Sequence, residues 1–315
     1  MMSARWKLFV KRLLKRLGWA IVTLFGTVTI TFILLHSAPV DPARMIAGAK
    51  ADPQTIAHIR HQFGLDRPAY QQFGFYCWKM IRGDWGISNF TREPVLNSIL
   101  DRFPATAELA AAGLFFYLLI GIPLGIWTAR HKNGWQDRLV LIVGILIISL
   151  PIFYLARMLQ YGVAYKARLL PVAGMGGLAH LLMPAFTLGL VGGLYYSRLL
   201  HSSLVDVLAQ DYVRSARARG LSEARVLYRH ALRNALIPVS TQLGMDVAGL
   251  LGGVIFTEMV FAWPGIGTLA VRAIFMLDVP MILGTVLFAA ILVVLANLAV
   301  DLIYPLLDPR IEGAL

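Results

Sequence analysis

The sequence predicts an all-α membrane protein with six transmembrane helices, a long external loop after the first helix and a basic cytoplasmic loop between the fourth and fifth. Of its 315 residues, 58% are hydrophobic and only 15% are charged. That balance is too apolar for the surface of a soluble domain of this length. The apolar runs are continuous and each reaches the roughly 20 residues that a helix needs to cross a bilayer. They do not alternate between apolar and polar as the strands of a membrane barrel do.

The apolar runs divide the chain into its elements. They lie at 17–38, 107–129, 139–165, 181–201, 239–261 and 281–305. The predicted organisation is a basic N-terminus (1–16), a first transmembrane helix (17–38), an external loop (39–106), a core (107–305) that contains the basic loop 206–237, and a tail (306–315). The first run exceeds the roughly 7 to 15 apolar residues of a cleavable leader, so we expect it to be retained.

The distribution of basic residues predicts the orientation of the chain. They concentrate before the first run, between the second and third, and between the fourth and fifth. Because basic loops stay in the cytoplasm, an even number of spans places both termini there. The net charge of +12 is explained by this topology and by the lipid bilayer, so we expect no nucleic-acid partner.

The external loop carries signals for two short helices. Asp52 followed by proline predicts a helix that runs to Phe63 and stops at Gly64. Pro68 opens an aromatic-rich stretch that ends at Gly83. Its aromatic side chains favour either a place along the membrane interface or a small cap that packs on the external surface.

Small and charged residues within the runs indicate how the helices pack. Three glycine pairs have the small-xxx-small spacing that lets membrane helices approach closely; they are Gly121 with Gly125, Gly189 with Gly193, and Gly249 with Gly253. Charged residues at membrane depth are functional candidates by default, although a structural role suits each of them equally well; they are Arg157, Asp246, Glu258 and Asp301.

The motifs of catalysis and metal binding are missing from the sequence. It has no Gly-x-x-x-x-Gly-Lys-[Ser/Thr] phosphate loop, no His-Glu-x-x-His, no Gly-x-Ser-x-Gly and no paired Cys-x-x-Cys. His58 and His61 have helical spacing but no further ligands nearby. We therefore expect no catalytic residues, no metal site and no cofactor bound by this chain.

The basic loop has the pattern of ordered structure. Residues 211–219 predict a short helix stopped by Gly220, after which Ser222 can cap a second helix. In that helix Arg225, Arg229 and Arg233 would form one cationic stripe, and Pro238 would mark entry to the next span. The residues alone leave two roles open: anchoring to anionic lipid headgroups and docking of a soluble partner.

Several motifs along the chain together resemble one family. The loop reads Asp211-Tyr-Val-Arg-Ser-Ala-Arg-Ala-Arg-Gly-Leu221 and then His230-Ala-Leu-Arg-Asn-Ala-Leu-Ile-Pro238. Further matches are Gly64-Leu-Asp-Arg-Pro68, Gly83-Asp-Trp-Gly-Ile-Ser88, Phe103-Pro-Ala-Thr-Ala-Glu-Leu109, Ile122-Pro-Leu-Gly125, Thr257-Glu-Met-Val-Phe-Ala-Trp-Pro-Gly-Ile-Gly267, Asp301-Leu-Ile-Tyr304 and Asp308-Pro-Arg-Ile311. This combination resembles the inner-membrane permease subunits of dipeptide, oligopeptide and nickel ABC importers.

The loop departs from the general importer pattern in two places. Arg214-Ser-Ala216 stands where other importers have Glu-Ala-Ala, and His230-Ala-Leu-Arg233 stands for Ile-x-Leu-Pro. Gly220 keeps its place. The variant is similar to that of the peptide and nickel branch, and it puts in doubt any transfer of the glutamate's contacts from other importers.

The resemblance implies partners and site residues. It implies a homologous second permease, two ATPase subunits that bind ATP and magnesium, an external substrate-binding protein, and a bacterial inner-membrane location. The residues implied to couple this chain to an ATPase are Asp211, Tyr212, Val213, Arg214, Ala216, Arg217, Arg219, Gly220 and Leu221. Those implied at the external gate or in contact with the binding protein are Trp85, Glu258, Trp263, Pro264 and Gly265.

Alternatives remain at the level of substrate and of class. Peptide import is the main prediction, and import of nickel or a metal chelate by the same architecture is the alternative. An autonomous secondary transporter would be expected to show polar, broken midplane helices or relay charges. A non-transport membrane scaffold or enzyme is disfavoured by the missing catalytic groups.

Overall fold

The computed structural model describes residues 2–37, 41–48, 51–252 and 254–307. Within these ranges the chain is helical, and its extended pairing is limited to one isolated bridge between Ile87 and Pro94. The predicted all-α class is confirmed. The α-helices are α1 (Met2–Ser37), α2 (Pro42–Ala47), α3 (Pro53–Gln62), α4 (Ala69–Ile81), α5 (Val95–Arg130), α6 (Trp135–Ile148), α7 (Ile152–Leu159), α8 (Leu178–Leu208), α9 (Asp211–Ala218), α10 (Glu223–Arg225), α11 (Leu232–Leu251), α12 (Ile255–Val260), α13 (Ile266–Phe275) and α14 (Val279–Leu307). π-Helical turns follow α7 (Gln160–Lys166) and α10 (Val226–Ala231).

The described helices include four that are long and apolar enough to cross a membrane. They are Leu14–Ser37 within α1, the whole of α5 and of α8, and Val279–Ala299 within α14. The bent pair α6 and α7 adds a fifth if it is counted as one span. By length and composition the structure therefore supports four or five spans, where the sequence predicts six.

The predicted span 139–165 is not one straight helix. The axis turns by 102° between α6, which ends at Ile148, and the segment that starts at Ile152. Pro151 lies in the break. Proline supplies no N–H for the helix and disfavours helical backbone in the residue before it, so the first helix ends there.

The predicted span 239–261 is also corrected. α11 begins at Leu232 and ends at Leu251, and α12 is a separate short helix. Pro238 consequently lies inside α11 rather than at its entry. Although α11 is 20 residues long, it is not among the four apolar helices, and it carries the polar side chains Gln242 and Asp246.

Helix boundaries differ from the predicted segments elsewhere too. α1 begins at Met2, so most of the predicted basic N-terminus shares a helix with the first span. α5 begins at Val95, inside the predicted external loop. Of the predicted tail, residues 308–315 lie outside the described ranges, as do Ala38 and Gly253.

The two short helices predicted in the loop 39–106 are present as α3 and α4. Asp52 Oδ1 accepts a hydrogen bond from the N–H of Thr55 at 3.2 Å. Hydrogen bonding by Thr55 holds the pKa of the Asp52 carboxyl below its ordinary range. Gly64 and Gly83 follow the two helices with φ of +66° and +81°. The relation of these helices to a membrane surface stays a prediction.

The chain forms two compact units, residues 1–104 with 265–295 and residues 105–264 with 296–315. In the first, the start of α5 packs against α13 and the start of α14 through Val95, Ile99 and Ile266. In the second, α8 packs against α7 and α11.

Glycines set the close approach of α5 and α8 in the second unit. A Cβ atom on Gly121 would lie 2.6 Å from Cβ of Tyr196, and one on Gly193 would lie 2.7 Å from Cβ of Ile120. The predicted close packing is confirmed for the first two glycine pairs. Gly249 of the third pair has no such neighbour within 4 Å.

Candidate functional site

The basic loop between α8 and α11 contains a tight turn after α9. Gly220 has φ of +79°. Its N–H donates to the carbonyl of Arg217 at 2.9 Å, and the N–H of Leu221 donates to the carbonyl of Ala216 at 3.4 Å. This pair of bonds is the Schellman arrangement, which ends a helix at a left-handed residue that is usually glycine. The predicted helix and its stop at Gly220 are confirmed.

A small apolar core holds the turn together. Val213, Ala216 and Val226 are buried in it, and Leu208 and Leu221 pack against them. Val213 has no exposed surface. Its side chain and that of Ala216 therefore hold α9 against the rest of this chain and do not face a partner, as the contact predicted for Val213 would require.

The three arginines of the predicted coupling set are not equivalent. The Arg217 guanidinium donates to both carboxylate oxygens of Glu223, at 2.9 and 3.3 Å, and so braces the turn. Arg214 pairs only loosely with Asp211, at 3.6 Å, and its side chain is 71% exposed. Arg219 is exposed and donates to a carbonyl of its own helix. Arg214 and Arg219 are thus the arginines that present charge outward.

Tyr212 connects the turn to the following helix. Its side chain is exposed, and its hydroxyl accepts a hydrogen bond from Nδ2 of Asn234 on α11 at 2.8 Å. The ring is the large exposed apolar group of α9, and this bond limits its movement.

The second half of the loop differs from the predicted capped helix. Ser222 occupies the N-cap position of α10, but its side chain makes no capping hydrogen bond. The π-helical turn Val226–Ala231 then leads directly into α11. Because π-helical bonds join residues five apart, the spacing of four no longer stacks Arg225, Arg229 and Arg233 on one face.

Buried contacts fix the loop to the two long helices at its ends. Leu227, Ala231 and Ala235 pack in one cluster with Leu200 and Leu204 of α8. The turn, α8 and the start of α11 are therefore packed against one another.

The predicted gate residues Glu258 and Trp263 face the interior of the second unit. The indole N–H of Trp263 donates to the carbonyl of Ala105 at 2.7 Å, and only 1% of the residue is exposed. Glu258 is fully buried and accepts a hydrogen bond from the Thr106 hydroxyl at 2.8 Å. Pro264 is exposed. Neither Glu258 nor Trp263 presents its side chain to an external partner in this structure.

The other predicted gate residues belong to the first unit. Trp85 is half-buried, with its ring edge against Phe288 at 6.3 Å between centroids. Gly265 is buried at the N-cap of α13, in extended backbone. Both contribute to the packing of that unit.

Sequence reasoning missed an anchor in the first unit. The Ser88 hydroxyl donates to Oδ2 of Asp278, and the N–H of Asn89 donates to Oδ1 at 3.0 Å. Asp278 is buried. These residues are 190 positions apart, so no local pattern signals the contact. Within the described residues, no group of three or more His, Cys, Asp and Glu side chains could hold a metal ion.

Comparison with known families decides the family of this chain. The model described as "Binding-protein-dependent transport system inner membrane component" matches residues 121–313, and the model of the corresponding N-terminal part matches residues 9–110. The chain belongs to this family. It is an inner-membrane permease subunit of an ABC importer of the peptide and nickel type, as the motifs predict.

Curated relatives align with this permease over nearly their whole length. The glutathione transport system permease protein GsiC of Escherichia coli K12 is 40% identical over 299 residues, which cover 95% of this chain and 98% of that protein. The GsiC protein of Salmonella typhimurium LT2 is 41% identical over the same length.

A solved structure shares the fold. The MetNI methionine ABC transporter, solved in an inward-facing conformation, contains a chain that superposes with a TM-score of 0.58 at 19% identity. The match covers 69% of this permease and 99% of that chain. At this identity the likeness supports the ABC permease fold alone.

Proposed function

We propose that this permease pairs with a homologous second permease to carry peptides across the bacterial inner membrane. Two ATPase subunits drive the importer, and an external binding protein supplies the substrate. The proposal of a peptide is supported by the relatives named for glutathione, which is itself a tripeptide. The proposed contact with an ATPase subunit is made by the loop 211–221. Its chain turns at Gly220, and its Arg214 and Arg219 side chains are exposed.

The coupling step follows from how the loop is built. We place α9 in a groove of one ATPase on the cytoplasmic side, with Tyr212 as apolar contact and Arg214 and Arg219 near acidic groups. When ATP binding closes the two ATPases, the groove moves. Since the apolar core around Val213 prevents the loop from absorbing that movement, α8 and α11 move with it. Such rigid-body motion alternates access to the two sides of the membrane.

The same proposal includes six spans, although length and composition alone identify four or five. Both termini are cytoplasmic, and α11 serves as a sixth span despite its polar side chains. A polar membrane helix faces other protein or a water-filled path rather than lipid. In the importer, the half-exposed side of α11 would face the path shared with the second permease.

Transport assays test the proposal. Cells that lack this chain should lose uptake of labelled glutathione or trialanine, and the wild-type gene should restore it. Loss of nickel uptake with unchanged peptide uptake would replace the peptide with a metal substrate. Uphill transport by the purified chain alone in liposomes would instead indicate an autonomous transporter and contradict the ABC mechanism.

A further inference from the structure

Asp246 places a carboxylate between the paired helices α8 and α11. Oδ2 accepts a hydrogen bond from the Tyr196 hydroxyl at 2.7 Å, and Oδ1 accepts one from Nε2 of Gln242 at 2.9 Å. Tyr196 lies 18 residues after the start of α8 at Leu178 and 12 residues before its end at Leu208. At about 1.5 Å per residue the Cα of Tyr196 is therefore about 18 Å from the nearer end of α8, whereas Asp246 lies five residues before the end of α11 at Leu251.

The charge of this carboxylate is not neutralised by the protein as described. Both of its hydrogen-bond donors are neutral groups, and no Lys, Arg or His of the described ranges forms an ion pair with it. With α11 as a span, as proposed above, a carboxylate without a cationic partner is a functional candidate by default. A carboxylate offers about four lone-pair positions, of which two are used here.

The exposed side of α11 carries fewer large aliphatic side chains than that of α6. Its exposed residues include Pro238, Met245 and Gly249, and Asp246 itself is partly exposed. The exposed side of α6, in contrast, consists of large aliphatic side chains, among them Ile142 and Leu146. A partly exposed carboxylate favours contact with water or protein over contact with lipid.

The cluster is held in position before any ligand arrives. Tyr196 is 1% exposed, and α5 approaches it so closely that a Cβ on Gly121 would collide with its own Cβ. The Tyr117 ring packs on that of Tyr196 with centroids 5.6 Å apart. A tyrosine fixed in this way limits the orientations of Oδ2 of Asp246 and leaves further lone pairs of the carboxylate unused by the hydrogen bonds described.

We propose that Asp246, with Tyr196 and Gln242, forms a subsite that binds the ammonium group of a peptide during its passage through the permease. This inference rests on the proposed peptide import and adds which part of the peptide the path recognises. An ammonium group carries three donors and a positive charge, which match the two free acceptor positions and the negative charge of the carboxylate.

Direct binding to the assembled permease and ATPase complex, without the binding protein, tests the subsite. Saturation-transfer NMR would detect trialanine and glutathione in the wild-type complex and compare them with their N-acetylated forms. Loss of one charge-assisted hydrogen bond weakens binding by about tenfold, so we expect this loss both for Asp246→Asn and for N-acetylation of the peptide. Asp246→Glu, which keeps the charge, should restore part of the binding lost in Asp246→Asn, and Tyr196→Phe, which removes one hydrogen bond to the carboxylate, should lose less than Asp246→Asn.

Asp206→Asn is the matched control, because Asp206 is an exposed aspartate near the end of α8. It should leave peptide binding unchanged.

Equal binding of free and N-acetylated peptides by the wild type would overturn the inference. Unchanged binding by Asp246→Asn, or failure of both free peptides to bind the wild type, would also overturn it. Equal loss for free and acetylated peptides in Asp246→Asn would instead indicate that the carboxylate pairs with a protein cation. Peptide uptake by wild-type cells, measured in parallel, separates failure of the subsite from failure of peptide import.

Discussion

The loop 211–221 and the segment 257–264 both carry motif residues, but they differ in which of those residues are exposed and which are buried. The loop buries its small apolar residues Val213 and Ala216 and exposes Arg214 and Arg219. The segment buries a carboxylate and an indole and leaves Pro264 at the surface.

This contrast separates two roles that motif matching alone treats alike. Exposed charges on a stiff turn suit the binding of a partner. Buried polar groups that are hydrogen-bonded within the chain stabilise the fold, since an unsatisfied buried polar group is expensive. Substitutions should therefore affect assembly with the ATPase in the first region and folding stability in the second.

Replacing Trp263 should have the largest effect on stability. Trp263→Ala removes a buried indole and its bond to the Ala105 carbonyl, so we expect a loss of about 3 to 5 kcal/mol. Thermal unfolding of the purified subunit in detergent measures it. Trp135→Ala is the control, because Trp135 is 68% exposed, and it should change stability little. Equal effects of the two variants would show that Trp263 is not a core residue.

The hydrogen bond to Glu258 should contribute less than the indole. Thr106→Val removes a donor to a fully buried carboxylate, and we expect a cost of about 1 to 3 kcal/mol in the same unfolding measurement. Thr187→Val is the matched control. Thr187 is also buried, but its hydroxyl bonds only the Met183 carbonyl within its own helix. A cost no greater than that of the control would argue against a structural role for the Thr106 bond.

The arginines of the loop should give the smallest effects and should differ from each other. Arg214→Ala removes an outward charge and should weaken ATPase binding by up to about fivefold. The effect should shrink at high salt, where exposed charges are screened. Arg217→Ala removes the brace to Glu223 and should instead raise the amide-exchange rate of the turn. Binding measurements across salt concentrations test the first effect, and a salt-independent loss for Arg214→Ala would contradict it.

Local signals in the sequence predicted local structure well. Asp52 with its following proline, and Gly220 after a short helical pattern, mark helix ends because capping and left-handed backbone depend on one or two residues. The apolar runs likewise predicted the four long helices. Charge and periodicity could not distinguish Arg214 from Arg217, since that distinction depends on Glu223 after the turn.

Features that depend on distant contacts were not predictable in this way. The buried Glu258 is hydrogen-bonded by Thr106, which lies 152 positions away, and the buried Asp278 is hydrogen-bonded by Ser88, which lies 190 positions away. The break after α11 interrupts a run that is continuous in hydropathy, and the π-helical turn before α11 lies within the basic loop. Each changes which side chains face outward, so the predicted arginine stripe and the fifth continuous span were not found.

The central claim, that the turn at Gly220 couples this permease to an ATPase, is tested most directly by Gly220→Val. No other atom lies within 4 Å of a Cβ placed at this position, so the substitution causes no steric clash with a neighbour. It acts through the backbone φ of +79° at residue 220, which is strained for a β-branched residue. Gly83→Val is the matched control, with φ of +81° and equally open space in the loop after α4. Co-purification of the ATPases with each membrane-inserted variant is the measurement. We expect loss of the ATPases, or loss of transport-coupled ATP hydrolysis, for Gly220→Val alone. Normal ATPase association and normal transport by Gly220→Val would contradict it.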